Sequence, residues 1–409
     1  MLILRMALRN LRRNLRRTLI TGIAIAFGLA LLIVSSGVGD GVHGQMIRSG
    51  VSAMAGHIVV QGRGWQQQRE PSIVVPRSPG VRAQLERLAP KATVVPRVFL
   101  QGLLTSPQGS AGVSLSAVVP ELEARVEDLH EKIVEGAYLD GNPQGLVLGK
   151  TLAETLAVGV GDKVVLMAQR KGEIESRLLR VQGIFKAGID EIDGFYGQIP
   201  VQTAQDLLGL GEDVTQLSVH LGSGRDAGLL LDAVRAALAG ESVEVLAWQE
   251  AMPDLSQWVA LDDAGFYAFI LVIALIVAIG ITNAVLMSVF ERMHELGVLL
   301  ALGMRPMRLA RMVIAEALLL GSFAVAGGVA VGLLLNWPLE VWGLDYSAFT
   351  GGGSMEAAGV VFETYQYSDL SPAKVVLFAV LTLAMTVLAA IYPAVKAARL
   401  RPIRCLHQR

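Results

Sequence analysis

The chain has 409 residues, of which 53% are hydrophobic, 17% are charged and 44 are glycine, with a formal net charge of −1 and a mean hydropathy of +0.51. That balance is too apolar for an ordinary soluble protein and too charged for a chain lying wholly in lipid. A mixed architecture is expected, with membrane-spanning helices and a separate polar domain.

In chain order, residues 1–17 place Leu4, Leu8, Leu11 and Leu15 three or four apart, with arginines on the other sides. This pattern predicts an amphipathic helix in the cytoplasmic headgroup layer. Residues 18–38 are the first of four stretches long and apolar enough to cross a hydrocarbon core of roughly 30 Å at about 1.5 Å per residue. The apolar run is longer than a signal-peptide core and no small-x-small site follows it, so an uncleaved anchor is expected.

Residues 39–262 are long enough for a core of their own. Runs at 57–61, 163–167 and 177–184 read as strands, and those at 81–88 and 226–238 as helices, giving a region of α+β character. Within it, Gly145-Leu146-Val147-Leu148-Gly149-Lys150-Thr151 approaches a phosphate-binding loop, but the spacing G-x-x-x-x-G-K-[ST] requires glycine where Gln144 stands. The predicted structure is instead a strand, a turn and a helix from Thr151 to Leu156, closed by Gly159, Gly161 and Asp162. The acidic run Asp190-Glu191-Ile192-Asp193 is expected to be a solvated loop.

Three further spans are predicted at 266–290, 312–335 and 375–395, with a segment at 291–311, a loop at 336–371 and a tail at 396–409. Basic residues cluster before the first span (Arg5, Arg9, Arg12, Arg13, Arg16, Arg17), between the second and third (Arg292, Arg305, Arg308, Arg311) and after the fourth (Lys396, Arg399, Arg401, Arg404, Arg409). The loop after the third span carries Glu340, Asp345, Glu356, Glu363 and Asp369 before its first lysine, Lys374. By the positive-inside rule both termini and the 291–311 segment are cytoplasmic, and the 39–262 region faces the periplasm. The predicted fold is therefore an integral membrane α-helical protein with four transmembrane helices in a 1+3 arrangement and a large α+β periplasmic domain.

The histidines (His43, His57, His130, His220, His294, His407) lack the companions of a metal site, and Cys405 is the single cysteine. No catalytic, cofactor-binding or metal-ligating residue is expected. In the membrane, Thr282 and Asn283 lie late in the second span, and Glu316 lies one turn into the third, placed to pair with Arg308, Arg311 or a neighbouring helix. Gly22, Gly28, Gly280, Gly321, Gly327, Gly328 and Gly332 are expected to let helices pack closely.

The most telling stretch runs from Glu291 through Arg292, Met293, His294, Glu295, Leu296 and Gly297 to Leu302, Gly303 and Arg305: both signs of charge wedged between two spans. Glu291-Arg292 through Leu296-Gly297-Val298 with Ala301-Leu302-Gly303, then Glu316-Ala317-Leu318-Leu319-Leu320-Gly321, resemble the permease subunits of the MacB/FtsX-like (type VII) ABC transporters. The ending Tyr392-Pro393-Ala394-Val395-Lys396-Ala397-Ala398-Arg399-Leu400-Arg401-Pro402-Ile403 is similar to theirs as well. Gly56-His57-Ile58 and Gly343-Leu344-Asp345-Tyr346-Ser347-Ala348-Phe349 look like the lipoprotein-releasing LolC/LolE branch.

The resemblance implies a non-catalytic, multi-pass inner-membrane permease whose ATP and Mg are bound by a separate cytoplasmic ABC ATPase dimer. It also implies a second permease copy or a paralogue, contact with membrane lipid, a periplasmic carrier or adaptor, and no nucleic acid. The ATPase-coupling residues would be Glu291, Arg292, His294, Glu295, Leu296, Gly297, Leu302, Gly303, Arg305 and Arg308. ATP-driven motion of the periplasmic domain (mechanotransmission) would then act on a lipoprotein or another periplasmic or outer-leaflet substrate. MacB-like efflux of a peptide or antibiotic, and FtsX-like regulation of a periplasmic enzyme without transport, remain open on the same resemblance.

Overall fold

The computed structural model describes residues 6–7, 9–10, 13, 15–170, 172–188, 190–222, 227–345, 356–357, 360–361 and 365–399. Expectations resting on residues 1–5, 8, 11, 12, 346–349, 363 and 400–409, Cys405 among them, lie outside the described residues. The chain divides into two compact units. One comprises 1–44, 260–346 and 364–409, the other 45–259 and 347–363.

The first unit is helical. Its framework is α1 (Leu15–Gly50), α2 (Pro253–Glu291), a short α3 (Met293–Ala301), α4 (Pro306–Val341) and α5 (Pro372–Ala398). All but α3 carry stretches long and apolar enough to cross a membrane. The long helices exceed the apolar runs that predicted them. At 36 and 39 residues, α1 and α2 reach about 55 Å, well beyond the roughly 30 Å that a hydrocarbon core demands. Helix α1 runs on through Gly39, Gly41 and Gly44 against their poor propensity. Tertiary contacts hold it there: Lys374 Nζ donates to Asp40 Oδ1 at 2.5 Å, and His43 Nε2 lies 2.8 Å from Asp262 Oδ2.

Small residues set the helix spacing, as expected in lipid, where close van der Waals packing replaces the hydrophobic drive. A Cβ on Gly328 would come within 2.8 Å of the Ala26 carbonyl oxygen, and one on Gly321 within 2.9 Å of Thr386. Gly280 and Gly327 do not pack this way within the chain, since a Cβ on either would meet nothing of it within 4 Å. Thr282 bridges α2 to α5 by donating to the Ala389 carbonyl at 3.2 Å.

The second unit is built on ten strands: β1 (Ile58–Gly62), β2 (Thr93–Thr105), β3 (Ser110–Val118), β4 (Ile133–Gly136), β5 (Gly145–Gly149), β6 (Lys163–Arg170), β7 (Glu173–Phe185), β8 (Tyr196–Pro200), β9 (Gln216–His220) and β10 (Val243–Ala247). The order is β10-β1-β9-β2-β3-β8-β5-β7-β4, and β6 pairs with both β2 and β7. The pairings β2-β3-β8-β5-β7-β6-β2 therefore close into a ring, and β10 and β4 end the sheet. The pairs β3/β8 and β5/β7 are parallel, and the other pairs are antiparallel. One apolar core, including Val60, Val98, Leu115, Leu148, Leu166, Leu179 and Leu217, fills the ring and continues beneath β1 and β9.

The three predicted strands are β1, β6 and β7, and the predicted helices are Ser78–Leu88 and Ala227–Ala237. The near-phosphate-loop is the buried β5 followed by helix Lys150–Leu156. Its Gly149 answers to packing, because a Cβ there would sit 2.5 Å from the Asp193 Cα. Lys150 stays on the surface, 3.9 Å from Glu154. The acidic run corrects the expectation of a solvated loop. Asp190–Phe195 is a helix, and Asp193 is buried because its carboxylate accepts the Ala187 and Gly188 amides at 2.7 and 3.1 Å.

Candidate functional site

The segment between α2 and α4 is a turn, a nine-residue helix and a second turn rather than one continuous helix. Its far end follows from local chemistry. Gly303 takes φ +93°, out of reach for most side chains. The Gly303 amide bonds the Leu300 carbonyl and the Met304 amide bonds that of Leu299, both at 3.0 Å. This is the Schellman closure of a helix. Pro306 then opens α4 from its first turn, where a missing N–H costs nothing.

At the near end, Arg292 breaks the run between α2 and α3 and turns its guanidinium inward, 10% exposed. Nε donates to Glu295 at 3.2 Å, and Nη1 donates to Glu316 on α4 at 3.3 Å. Glu295 also accepts from Arg13 Nη2 at 2.5 Å. The bond from Arg13, with Arg292 adding to it, holds the Glu295 carboxyl below the usual carboxylate range. Of the partners expected for Glu316, Arg308 and Arg311 on its own helix or a group from a neighbouring one, the structure shows an ion pair with Arg292 from the preceding segment. Residues five apart point to different sides of a helix and residues eight apart lie about 12 Å along it, so neither is a neighbour as i+3 and i+4 are. Arg292 and Glu316 also line a cavity of about 40 Å³ with Thr18, Thr21 and Ser288.

The expected coupling residues separate into two sets, with Glu295 half-buried between them. Arg292, Leu296 and Gly297 are buried against the helical unit and seat α3 on it. Glu291, His294, Leu302, Gly303, Arg305 and Arg308 are exposed. Leu302 is 79% exposed, and Met307 in the first turn of α4 is 65% exposed. The outward surface is thus an apolar tip ringed by two arginines. Sequence reading missed Arg13, whose role depends on the approach of a segment far away in the chain.

A second charged cluster lies in the strand unit and was also missed. Arg97 on β2 is fully buried. It donates to both Glu123 oxygens, at 3.1 and 2.5 Å, and to the Ser52 carbonyl at 3.0 Å. Burial works against its charge, but the adjacent Glu123 carboxylate outweighs that and raises its pKa above the ordinary guanidinium value. Gln198 donates to Glu127 at 2.9 Å and accepts from Tyr138 at 2.6 Å. Burial first, then the Glu123 carboxylate, push the Glu127 carboxyl up to about 8. The Tyr138 and Tyr196 hydroxyls are likewise pushed up, mainly by burial. The signal available in the sequence was one charged residue, Arg97, inside the otherwise uncharged run Thr93-Val94-Val95-Pro96-Arg97-Val98-Phe99-Leu100.

A helical membrane unit joined to a strand-rich α+β unit, with a charged helix between two spans, has the form of a membrane permease. The model of the MacB-like periplasmic core domain matches residues 18–237, and that of the FtsX-like permease C-terminal region matches residues 267–402. The chain belongs to the FtsX-like permeases with a MacB-like periplasmic core domain, which are inner-membrane ABC transporter permeases.

Among its relatives, the lipoprotein-releasing system transmembrane protein LolC of Neisseria meningitidis serogroup B is 24% identical over 396 residues, 93% of this chain and 92% of that protein. LolC of Xylella fastidiosa is 27% identical over 401 residues, 94% of this chain and 92% of that protein. The macrolide export ATP-binding/permease protein MacB of Bradyrhizobium diazoefficiens is 38% identical over 103 residues, 23% of this chain and 16% of that protein.

Proposed function

We propose that this chain is the force-transmitting permease subunit of a lipoprotein-releasing ABC transporter. A separate cytoplasmic ATPase dimer binds ATP and Mg and presses on α3, and a second permease copy or a paralogue completes the membrane part. One span precedes the periplasmic domain and three follow it, with both termini and α3 on the cytoplasmic side, where the basic residues cluster. The stroke moves the periplasmic domain without opening a channel. The observation that carries this reading is the geometry of α3 together with the turns on either side of it and the first turn of α4. Its inward residues Arg292, Leu296 and Gly297 fix it to the membrane helices, and its exposed tip of Leu302, Met307, Arg305 and Arg308 is free to meet a partner. Exposed apolar residues ringed by arginine are what a docking hot spot needs.

Lipoprotein is favoured over a drug or peptide because the alignment to LolC of Neisseria meningitidis covers 93% of the chain, whereas that to MacB of Bradyrhizobium diazoefficiens covers 23%. Substituting Leu302→Asp with Arg308→Glu touches only exposed side chains. It should lower affinity for the ATPase about 30-fold, as loss of a hot spot of about 2 kcal/mol would, while the permease keeps its melting temperature. Normal co-purification and normal ATPase stimulation would reject the docking role. Release of a labelled lipoprotein from proteoliposomes to a soluble carrier, dependent on ATP, tests the substrate.

A further inference from the structure

Within the periplasmic domain, the end of α1 leaves its helix in an unusual way. Residues Val51–Ala55 form a π turn, in which the Gly56 amide bonds the Val51 carbonyl at 2.6 Å. In an α-helix that amide would serve Ser52. The wider turn releases the Ser52 carbonyl, and the Arg97 guanidinium takes it at 3.0 Å. Gly56 then turns with φ +71°, its Cα so close to Val219 that a Cβ would lie 3.0 Å from that residue's backbone. Two residues later the chain enters β1, hydrogen-bonded to β9 and β10 on its two sides. Single π turns inside helices are uncommon and concentrate at functional positions.

Arg97 occupies a matching place on the sheet. β2 pairs with β9 up to Arg97 and with β3 from Val98 onward, so Arg97 marks the point where the strand passes from the flat part of the sheet into the closed ring. Gln61, Gln216 and Arg97 stand in register across β1, β9 and β2. All three are buried, on the face opposite the apolar core residues Val60, Leu217 and Val98. Arg97 also holds Glu123 in the short helix Pro120–Glu123 that follows β3. One planar fork thus fastens the helix end, the flat sheet and the ring together, a geometry that lysine cannot reproduce.

We propose that Arg97 is the joint through which movement of the α1 end enters the periplasmic domain, a positioning residue that locks the π turn to the sheet so that the two move as one body. This inference rests on the force-transmission reading above. With the fork gone, the released Ser52 carbonyl has lost its anchor and the helix end yields before the sheet follows.

The test is a distance measurement by pulsed electron resonance in the full permease–ATPase complex. Spin labels go at the exposed positions Arg48, on α1, and Ile174, on β7. In the wild type the distance distribution stays single and narrow in the nucleotide-free and ATP–vanadate-trapped states. In Arg97→Lys, which keeps a buried positive charge beside Glu123, it should broaden or shift in the trapped state alone. The double substitution Arg97→Met with Glu123→Met removes both buried charges together and should do the same. Wild-type distributions in the trapped state for either folded variant would overturn the joint. The force-transmission reading fails on a different result, a wild-type permease that leaves ATP hydrolysis by its partner unaltered.

Discussion

Two arginines organise two clusters of carboxylates in this protein, and they differ in surroundings more than in chemistry. Arg292 is 10% exposed, and its partners Glu316 and Glu295 are 17% and 43% exposed. Arg97 and Glu123 are 0% and 1% exposed. Where water reaches the pair, attraction and desolvation are both small and the cluster can rearrange at little cost. Where water is excluded, desolvation is severe and only complete hydrogen bonding makes the site tolerable, so the geometry is fixed. The partly wet cluster suits the seat of a short helix that can shift on its neighbours, and the dry one suits a rigid joint.

The largest expected effect separates the two outright. Arg97→Met leaves the Glu123 carboxylate buried without its cation and should destabilise the chain by about 3–5 kcal/mol, read from denaturant unfolding in detergent. Arg292→Met, at the partly wet cluster, should cost only about 1–2 kcal/mol. Equal losses would erase the contrast.

The second prediction concerns protons. The Glu127 carboxyl, facing Glu123, Arg97, Gln198, Tyr138 and Tyr196, stands at about 8 against an ordinary 4.5. Because the folded state holds its proton more tightly, its contribution is full below about 4.5 and is lost as pH rises through about 8. Burial lowers His220 to about 3 from 6.5. A depressed histidine acts oppositely at the acid end, with stability lost as pH falls from 6.5 toward 3. Thermal melts across pH 3–9 should therefore show declines on both sides. Glu127→Gln should flatten the alkaline one, and an unchanged alkaline slope would remove Glu127 from the cluster.

The smallest effect belongs to Arg13, 60% exposed beside Glu295. Arg13→Ala should change stability by no more than roughly 0.5 kcal/mol, an effect that vanishes in high salt. A larger, salt-insensitive loss would mean that the Arg292 cluster is drier than its exposure indicates.

Much of the helical unit was legible because its determinants are local. Length and apolarity mark the four long helices. The division of the coupling residues into an inward and an outward set was not legible. Which side of a nine-residue helix is covered depends on the helices that reach it, and Glu316 found Arg292 rather than a neighbour on its own helix. In the strand unit, short runs of strand-forming residues located β1, β6 and β7. It could not show that Asp193 turns inward, because the Ala187 and Gly188 amides that hold it come from the bend before it.

By itself the sequence determined the membrane spans and the α+β character of the outer region, since each follows from the free energy of a short segment in lipid or water. Tertiary structure decided the two arginine clusters. A strand's period of two separates its faces but does not say whether the second face will also be covered. Gln61, Gln216 and Arg97 became one buried row only when β1, β9 and β2, far apart in the chain, were paired. A charge in such a place is sustained by partners that no local pattern can announce.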